Sequence, residues 1–463
     1  MQLELYNQAI APDEAGQRQP LSKFLTQRKV FITIDDTTEY KRCRVQSNRK
    51  GVVLRDIAKG AAINTKKQQL CQPGDFLVAE IDAKVGGYGF VPAELDGAIV
   101  SSHYYLFEVD EAQLLSRYLY YLAQSDIIQS QISSQGSTNY AAIRPKEFLA
   151  IEIPYVEPEE QRAIVARLDA LTLESDEFGQ EAAHQTTLLT RLREAILREA
   201  VQGRLLPQDP TDEPAPALLA RIRAEKHHLI KEKKLRAEKP LPPLSDAEVP
   251  YGVPEGWVWC RLGQLVLKSE AGKSLTCYPY PASYPKWGII KVSAMSWGTF
   301  DETESKELPE EVTPELAYQI MPGDYLISRA NTGELIGRSV LVGEIKANLL
   351  LSDKSIRMIF AEDVNKEYIS LCNAAEYTRT YYKSVATGTS DSMKNLSREQ
   401  MYALAIPLPP LAEQRRIVAK VAELLAHCTE LEAELGQARA AASALHAAAL
   451  REAFRPVAVA AVA

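Results

Sequence analysis

Two stretches decide how this chain is built: Ile151–Leu171, IEIPYVEPEEQRAIVARLDAL, and Leu404–Leu424, LAIPLPPLAEQRRIVAKVAEL. Nine of their twenty-one positions are identical at a constant offset of 253. The same offset pairs Leu197-Arg198-Glu199-Ala200 with Leu450-Arg451-Glu452-Ala453, and Pro73-Gly74-Asp75 returns as Pro322-Gly323-Asp324 at offset 249. A period near half the chain marks one long duplication and excludes a solenoid, whose repeats run roughly 20 to 50 residues. Each copy is an irregular domain of about 150 residues followed by a helical segment.

The helical segments carry heptads. In the second copy Ile417, Leu424, Leu431, Ala438 and Leu445 form one column and Val421, Cys428, Leu435, Ala442 and Ala449 the other. Spacing of four then three is an a/d seam, and it persists over five heptads, as in a coiled coil. The first copy keeps the register, with Ile164, Leu171, Phe178, Gln185 and Leu192 beside Leu168, Ser175, Ala182, Leu189 and Ile196. Ser175 and Gln185 are its polar breaks. Pro158 and Pro409-Pro410 precede or open the helices, where a missing N–H costs little. A helix with one apolar stripe must bury it. The expected partner is its own duplicate; the alternative is packing on its own domain.

The irregular domains read as mixed α/β. Strands are expected in GDFLVAEI, AIVSSHYYLFEV, WGIIKVSAM, GDYLISRA and SVLVGEI, and short helices near LLSRYLYYLAQS and KEYISLCNAAEYTRTYYK. Between the copies, a proline-rich acidic break precedes LLARIRAEKHHLIKEKKLRAEK, which holds eight basic and three acidic residues from Arg221 to Lys239. This stretch is either a solvated helix face or a phosphate-facing strip.

The chain has 463 residues, enough for two or three domains, with 46% hydrophobic and 25% charged residues. That balance excludes wholesale disorder. No apolar run is long enough to span a bilayer, and the N-terminus MQLELYNQAIAPDEAGQ shows no secretory signal. Six scattered cysteines without a CxxC read as reduced thiols, and six histidines without ligand spacing do not suggest zinc. A net charge of −8 argues against a histone-like polyanion binder but leaves room for a local basic face.

No catalytic constellation stands out. Ala271-Gly272-Lys273-Ser274 lacks the first glycine of a phosphate loop, because position 267 is Leu267. Asp75 with Asp82 and Lys84 imitates a nuclease metal site, but the second copy has Asp324 followed by Asn331-Thr332-Gly333. No nucleophile is matched with a His base. Polar, glycine-bearing loops do recur at equivalent places. Lys84-Val85-Gly86-Gly87-Tyr88-Gly89 stands opposite Ser328-Arg329-Ala330-Asn331-Thr332-Gly333. Gly136-Ser137-Thr138-Asn139-Tyr140 stands opposite Gly388-Thr389-Ser390-Asp391-Ser392-Met393-Lys394. Such loops suit either turn chemistry or contact with phosphates and bases.

The tandem order of PGD strand, Gly-Ser/Thr loop, Ile-Pro segment, Glu-Gln-Arg and long helix resembles the DNA-specificity subunit of type I restriction–modification enzymes. The most specific stretch is Ile406-Pro407-Leu408-Pro409-Pro410-Leu411 with Glu413-Gln414-Arg415-Arg416-Ile417-Val418. The first copy is looser, with Tyr155-Val156-Glu157-Pro158 before Glu160-Gln161-Arg162. The resemblance implies α/β (α+β) target-recognition domains in tandem, joined by two long antiparallel coiled-coil helices, with an internal pseudo-two-fold duplication. The expected divisions are residues 1–150 and 250–403 for the domains, 151–206 and 404–455 for the helices, 207–249 for the linker and 456–463 for the tail.

It further implies a non-catalytic, cytoplasmic prokaryotic subunit that reads one half of a split double-stranded DNA site with each domain. Two methyltransferase subunits would dock near Arg162 and Arg415, and restriction subunits would join them. S-adenosylmethionine, ATP and magnesium would belong to those partners, with no cofactor or metal in this chain. Expected DNA contacts are Arg49, Lys50, Lys84, Tyr88, Ser137, Thr138 and Asn139 in the first domain. In the second they are Lys291, Arg329, Asn331, Thr332, Thr389, Ser390 and Lys394. Two other readings remain: a duplicated coiled-coil scaffold clamping protein ligands, and a nuclease using Asp82 and Lys84.

Overall fold

The computed structural model describes residues 18–133, 142–237, 239–296, 298–388 and 393–454. It forms two compact units, Met1–Ala183 with Leu435–Ala463, and His184–Glu434. These units cut both long helices.

In the first unit, a four-stranded antiparallel sheet has the order Leu25–Arg28, Tyr104–Val109, Phe76–Ala79, Tyr88–Phe90. Its strands alternate between two buried faces. Phe76, Val78 and Phe107 join a core with the helix Ser116–Gln124 and with Leu168. Leu77, Ala79 and Leu106 join a second core under an inserted sheet. That insert has five strands in the order Phe31–Thr33, Lys67–Leu70, Ile99–Val100, Glu39–Val45, Val52–Lys59.

The second unit repeats the frame. Its sheet order is Val266–Ala271, Ser355–Phe360, Tyr325–Ser328, Ser339–Leu341, again first, fourth, second and third in chain order. Tyr325 and Ile327 face the helical core, while Leu326 and Val340 face an insert. This insert has only three strands, Ser305–Glu307, Trp287–Ile290 and Asn348–Leu350. Burial on both faces explains why GDFLVAEI and GDYLISRA read as unbroken apolar runs. Both inserts enter at the same two connections of the frame.

The repeated Pro-Gly-Asp is a turn device. Gly74 and Gly323 take φ of +85° and +84°, a region that favours glycine. Asp75 accepts the Gln72 N–H at 2.7 Å and Asp324 accepts the Met321 N–H at 2.9 Å. Each carboxylate is also held by an arginine: Arg28 Nε lies 2.8 Å from Asp75, and Arg357 Nη1 lies 3.0 Å from Asp324.

The long helices run over Pro158–Val201 and Leu411–Ala453, starting at and just after the prolines. Gln161 and Gln414 of the Glu-Gln-Arg triplets are buried. Gln161 donates to the Gln113 and Val156 carbonyls at 2.8 Å and accepts the Leu115 N–H at 2.8 Å. Gln414 donates to the Pro409 carbonyl at 2.9 Å. The triplet glutamines therefore anchor the start of each helix to the segments beside it.

Of the two expected heptad columns, one is inside. Leu168, Ala182, Leu189 and Ile196 are buried, as are Val421, Cys428 and Ala449, with the remaining members half-buried. The other column is open beyond its first turns: Leu192, Leu431 and Leu445 are 46%, 50% and 53% exposed. The expected two-column seam is thus corrected to a single buried column with partial cover from its neighbour.

Residues of both long helices share a core within each unit. In the first, Leu168 shares a core with Ala449, Leu450 and Phe454, and the Phe454 ring meets Tyr118 at 5.3 Å. In the second, Ile196 and Ala200 share a core with Ile417, Val421 and Cys428, and Arg193 reaches Glu432 at 3.0 Å.

The basic connector is a helix, Ala215–Lys231, with Leu218, Leu219 and Ile222 buried in the core of the second unit. Arg221 pairs with Glu213 and Asp363, and Lys226 donates to the Val266 carbonyl at 2.8 Å. It is not a wholly solvated face, because part of its charge is spent on its own domain. All six cysteines are free, and Cys43 and Cys71 bring their Sγ atoms to 3.7 Å.

Candidate nucleic-acid interface

In the first domain the fold brings Arg49, Lys50 and Lys84 together. Residues 46–51 close the ribbon formed by Glu39–Val45 and Val52–Lys59. The tip sits on the loop carrying Lys84, with the Asn48 N–H on the Val85 carbonyl at 2.7 Å and the Arg49 N–H on the Gly86 carbonyl at 3.0 Å. Gly86 has φ of +79°, and a Cβ there would meet the Arg49 nitrogen at 2.9 Å, so glycine is required for this approach.

Arg49 is committed to this joint. Its guanidinium donates to the Gln124 carbonyl at 2.9 Å and pairs with Asp126 at 2.9 Å, while Gln124 Nε2 donates back to the Arg49 carbonyl at 3.0 Å. These bonds tie the tip to the end of the helix Ser116–Gln124. Tyr88 is corrected as a DNA contact. It is 1% exposed, packs on Phe76 and Phe148, and its hydroxyl is pushed far above the ordinary tyrosine range by burial. A ring inside the core has no face left for a base. Lys50 is exposed at the tip and Lys84 is half-buried beneath it.

In the second domain, Asn331 pairs with Lys394 in a short antiparallel ladder, Ala330–Asn331 with Lys394–Asn395. Asn331 Oδ1 accepts the Thr332 N–H at 2.9 Å, and the Arg329 carbonyl accepts the Leu396 N–H at 2.8 Å. Arg329, Asn331, Thr332 and Lys394 therefore share one half-buried locus. Lys291 lies apart, in the three-stranded insert, 3.5 Å from Glu304. Ser137, Thr138, Asn139, Thr389 and Ser390 lie outside the described residues. Arg162 and Arg415 are exposed on the first turns of their helices, each following a buried glutamine.

The sequence reading passed over Arg44 and Arg55. Both are exposed on the ribbon and line an open concavity of about 570 Å³ with Gln46, Asn48 and Lys50. The signal was available in Arg42-Cys43-Arg44-Val45, which alternates at the strand period. Among the described residues, no group of three His, Cys, Asp or Glu side chains is placed to hold a metal ion. Asp75, the first carboxylate of the imitated nuclease site, is occupied by Arg28.

A family model described as the type I restriction modification DNA specificity domain matches residues 24–182 and 309–438. The chain belongs to this specificity family. The matched regions fall one on each copy of the repeat, with the frame strand Val266–Ala271 outside them. The chain is 38% identical over 250 residues to the type I restriction enzyme EcoEI specificity subunit of Escherichia coli, covering 54% of this chain and 42% of that protein. It is 31% identical over 277 residues to the EcoAI specificity subunit of Escherichia coli, covering 56% of this chain and 44% of that protein. The aligned part is therefore less than half the length of either relative. The HsdS subunit from Thermoanaerobacter tengcongensis has a similar fold, with a TM-score of 0.55, 19% identity, and coverage of 96% of this chain and 98% of that chain. A chain from a structural study of complex assembly and conformational transition in the type I R-M system gives a TM-score of 0.61 at 18% identity, again covering 96% and 98%. No helix among the described residues is long and apolar enough to cross a membrane.

Proposed function

We propose that this chain is the DNA-reading subunit of a type I restriction–modification assembly, with each domain reading one half of a bipartite site. The observation that carries this reading is the repeated four-stranded frame, built once per copy, with a different insert on each. One frame presenting two inserts suits two half-sites of different sequence. The cores that the two helices share within each unit support an antiparallel pairing of the helices in an internal pseudo-two-fold duplication. Such a pair acts as a ruler that fixes the gap between half-sites.

The exposed arginines Arg162 and Arg415, at equivalent helix starts, are proposed as part of the docking surface for two methyltransferase subunits. The chain contributes recognition; methylation with S-adenosylmethionine, and translocation and cleavage with ATP and magnesium, belong to the partner subunits. The setting is a prokaryotic cytoplasm. The expected divisions at 150, 206, 249 and 403 remain the proposed functional borders. With a net charge of −8, the chain alone binds DNA weakly and with strong salt dependence. The test is DNA binding by the chain with and without methyltransferase subunits. The reading predicts tight, sequence-selective binding only in the complex. A complex that binds every duplex alike contradicts it and favours the protein-clamping scaffold.

A further inference from the structure

The two domains share a frame and differ in what is inserted into it. Whatever distinguishes the two half-sites must therefore lie largely in the inserts. In the first domain the insert ends in an exposed ribbon, Glu39–Val45 paired with Val52–Lys59, whose second strand is the edge of the five-stranded sheet. A two-stranded ribbon is narrow enough to enter the DNA major groove.

The ribbon tip is held rigidly. Asn48 and Arg49 both take positive φ, 59° and 62°, which residues other than glycine seldom adopt. The backbone bonds to Val85 and Gly86 and the Arg49 links to Gln124 and Asp126 keep them there. Strain of this kind persists where the surroundings fix a geometry that function needs.

The positive charge around the tip is only partly balanced. Arg44, Lys50 and Arg55 line the concavity, against the single carboxylate of Asp82. Among the described residues neither Arg44 nor Lys50 has a carboxylate partner. Asp56 pairs with Arg42 at 2.6 Å and more loosely with Arg55 at 3.7 Å. Gln46 and Asn48 stand between these cations, and both amide types can bond two edge atoms of adenine, as arginine can of guanine.

We propose that this ribbon is the base-reading element of the first domain, with Arg44, Gln46, Asn48 and Arg55 reading base edges and Lys50 holding a phosphate. Arg49 is a positioning residue that fixes the tip. The proposal rests on the DNA-reading function above and names the residues that perform it in one domain.

The test uses the chain assembled with methyltransferase subunits. The half-sites are first taken from genome methylation. Binding is then measured to the site and to every single base-pair replacement, for the unmodified chain and for Arg44→Ala, Asn48→Gly and Lys50→Ala. Glycine accepts the positive φ at position 48, and all three side chains are exposed, so the fold is kept. R44A and N48G should each lower discrimination roughly ten- to a hundredfold at one or two base pairs of one half-site, with the other half-site unchanged. K50A should weaken all duplexes alike and reduce the salt slope by about one. If R44A and N48G keep full discrimination at both half-sites, the ribbon is not the reader. If the unmodified complex itself shows no bipartite preference, the broader function fails before any variant is tested.

Discussion

Asp75 and Asp324 perform the same task in the two copies: each closes a Pro-Gly-Asp turn and neutralises an arginine that is largely buried. Removing such a carboxylate strands the guanidinium away from water. Asp75→Ala should cost about 3–5 kcal/mol, measured by denaturant unfolding, because a buried pair loses one partner. The exposed neighbour Asp82 should cost under about 0.5 kcal/mol when changed to Ala. The motif was legible in the sequence but its partner was not. Arg28 precedes Asp75 by 47 residues, whereas Arg357 follows Asp324 by 33, so no shared spacing marks the pair. Another residue-scale clasp joins the linker to the second domain, where Arg261 bonds Glu248 at 3.0 Å. The Arg261 guanidinium, then the Ser245 backbone, holds the Glu248 carboxyl down at about 2, below the ordinary 4.5. A depressed carboxyl stabilises the fold above its unfolded value, and that contribution is lost as pH falls through the folded value. The unmodified chain should therefore lose stability relative to Glu248→Gln as pH drops from 4.5 towards 2, read from melting curves across that window. Equal pH slopes for both proteins would sink this assignment.

Among the elements, the long helices were the most legible and the inserted sheets the least. Heptad spacing, proline and the Glu-Gln-Arg triplets depend only on local sequence, so the helix starts appeared in the right places. What spacing could not reveal is which column turns inward. Leu189 is buried and Leu192, three residues on, is 46% exposed. Leu189→Ala should cost about 2–4 kcal/mol and Leu192→Ala less than about 1 kcal/mol, compared by chemical denaturation. Similar losses at both positions would restore the two-column seam. The frame strands Phe76–Ala79, Tyr104–Val109, Tyr325–Ser328 and Ser339–Leu341 were also legible as apolar runs, whereas Leu25–Arg28, Tyr88–Phe90, Val266–Ala271 and Ser355–Phe360 were not read as strands. The ribbon escaped notice because its partly exposed strands mix adjacent charges, Lys41-Arg42 and Arg55-Asp56, with short apolar stretches. Its tip depends on contacts with Val85, Gly86 and Gln124, distant in sequence. For the same reason Tyr88 resembled a contact residue in sequence but is buried in the core.

At the scale of the molecule, duplication supplies one frame twice, and the inserts make the copies unequal. In the proposed ruler, recognition and spacing are separable properties: inserts choose bases, and helix length chooses the gap. Seven residues add about 10 Å to a helix, about three base pairs at 3.4 Å each. The most direct measurement is the methylation pattern of a genome carrying the complete system, with one heptad inserted into both long helices at matching positions. The account predicts the same two half-sites separated by a longer gap. Altered half-site bases at an unchanged gap would contradict it.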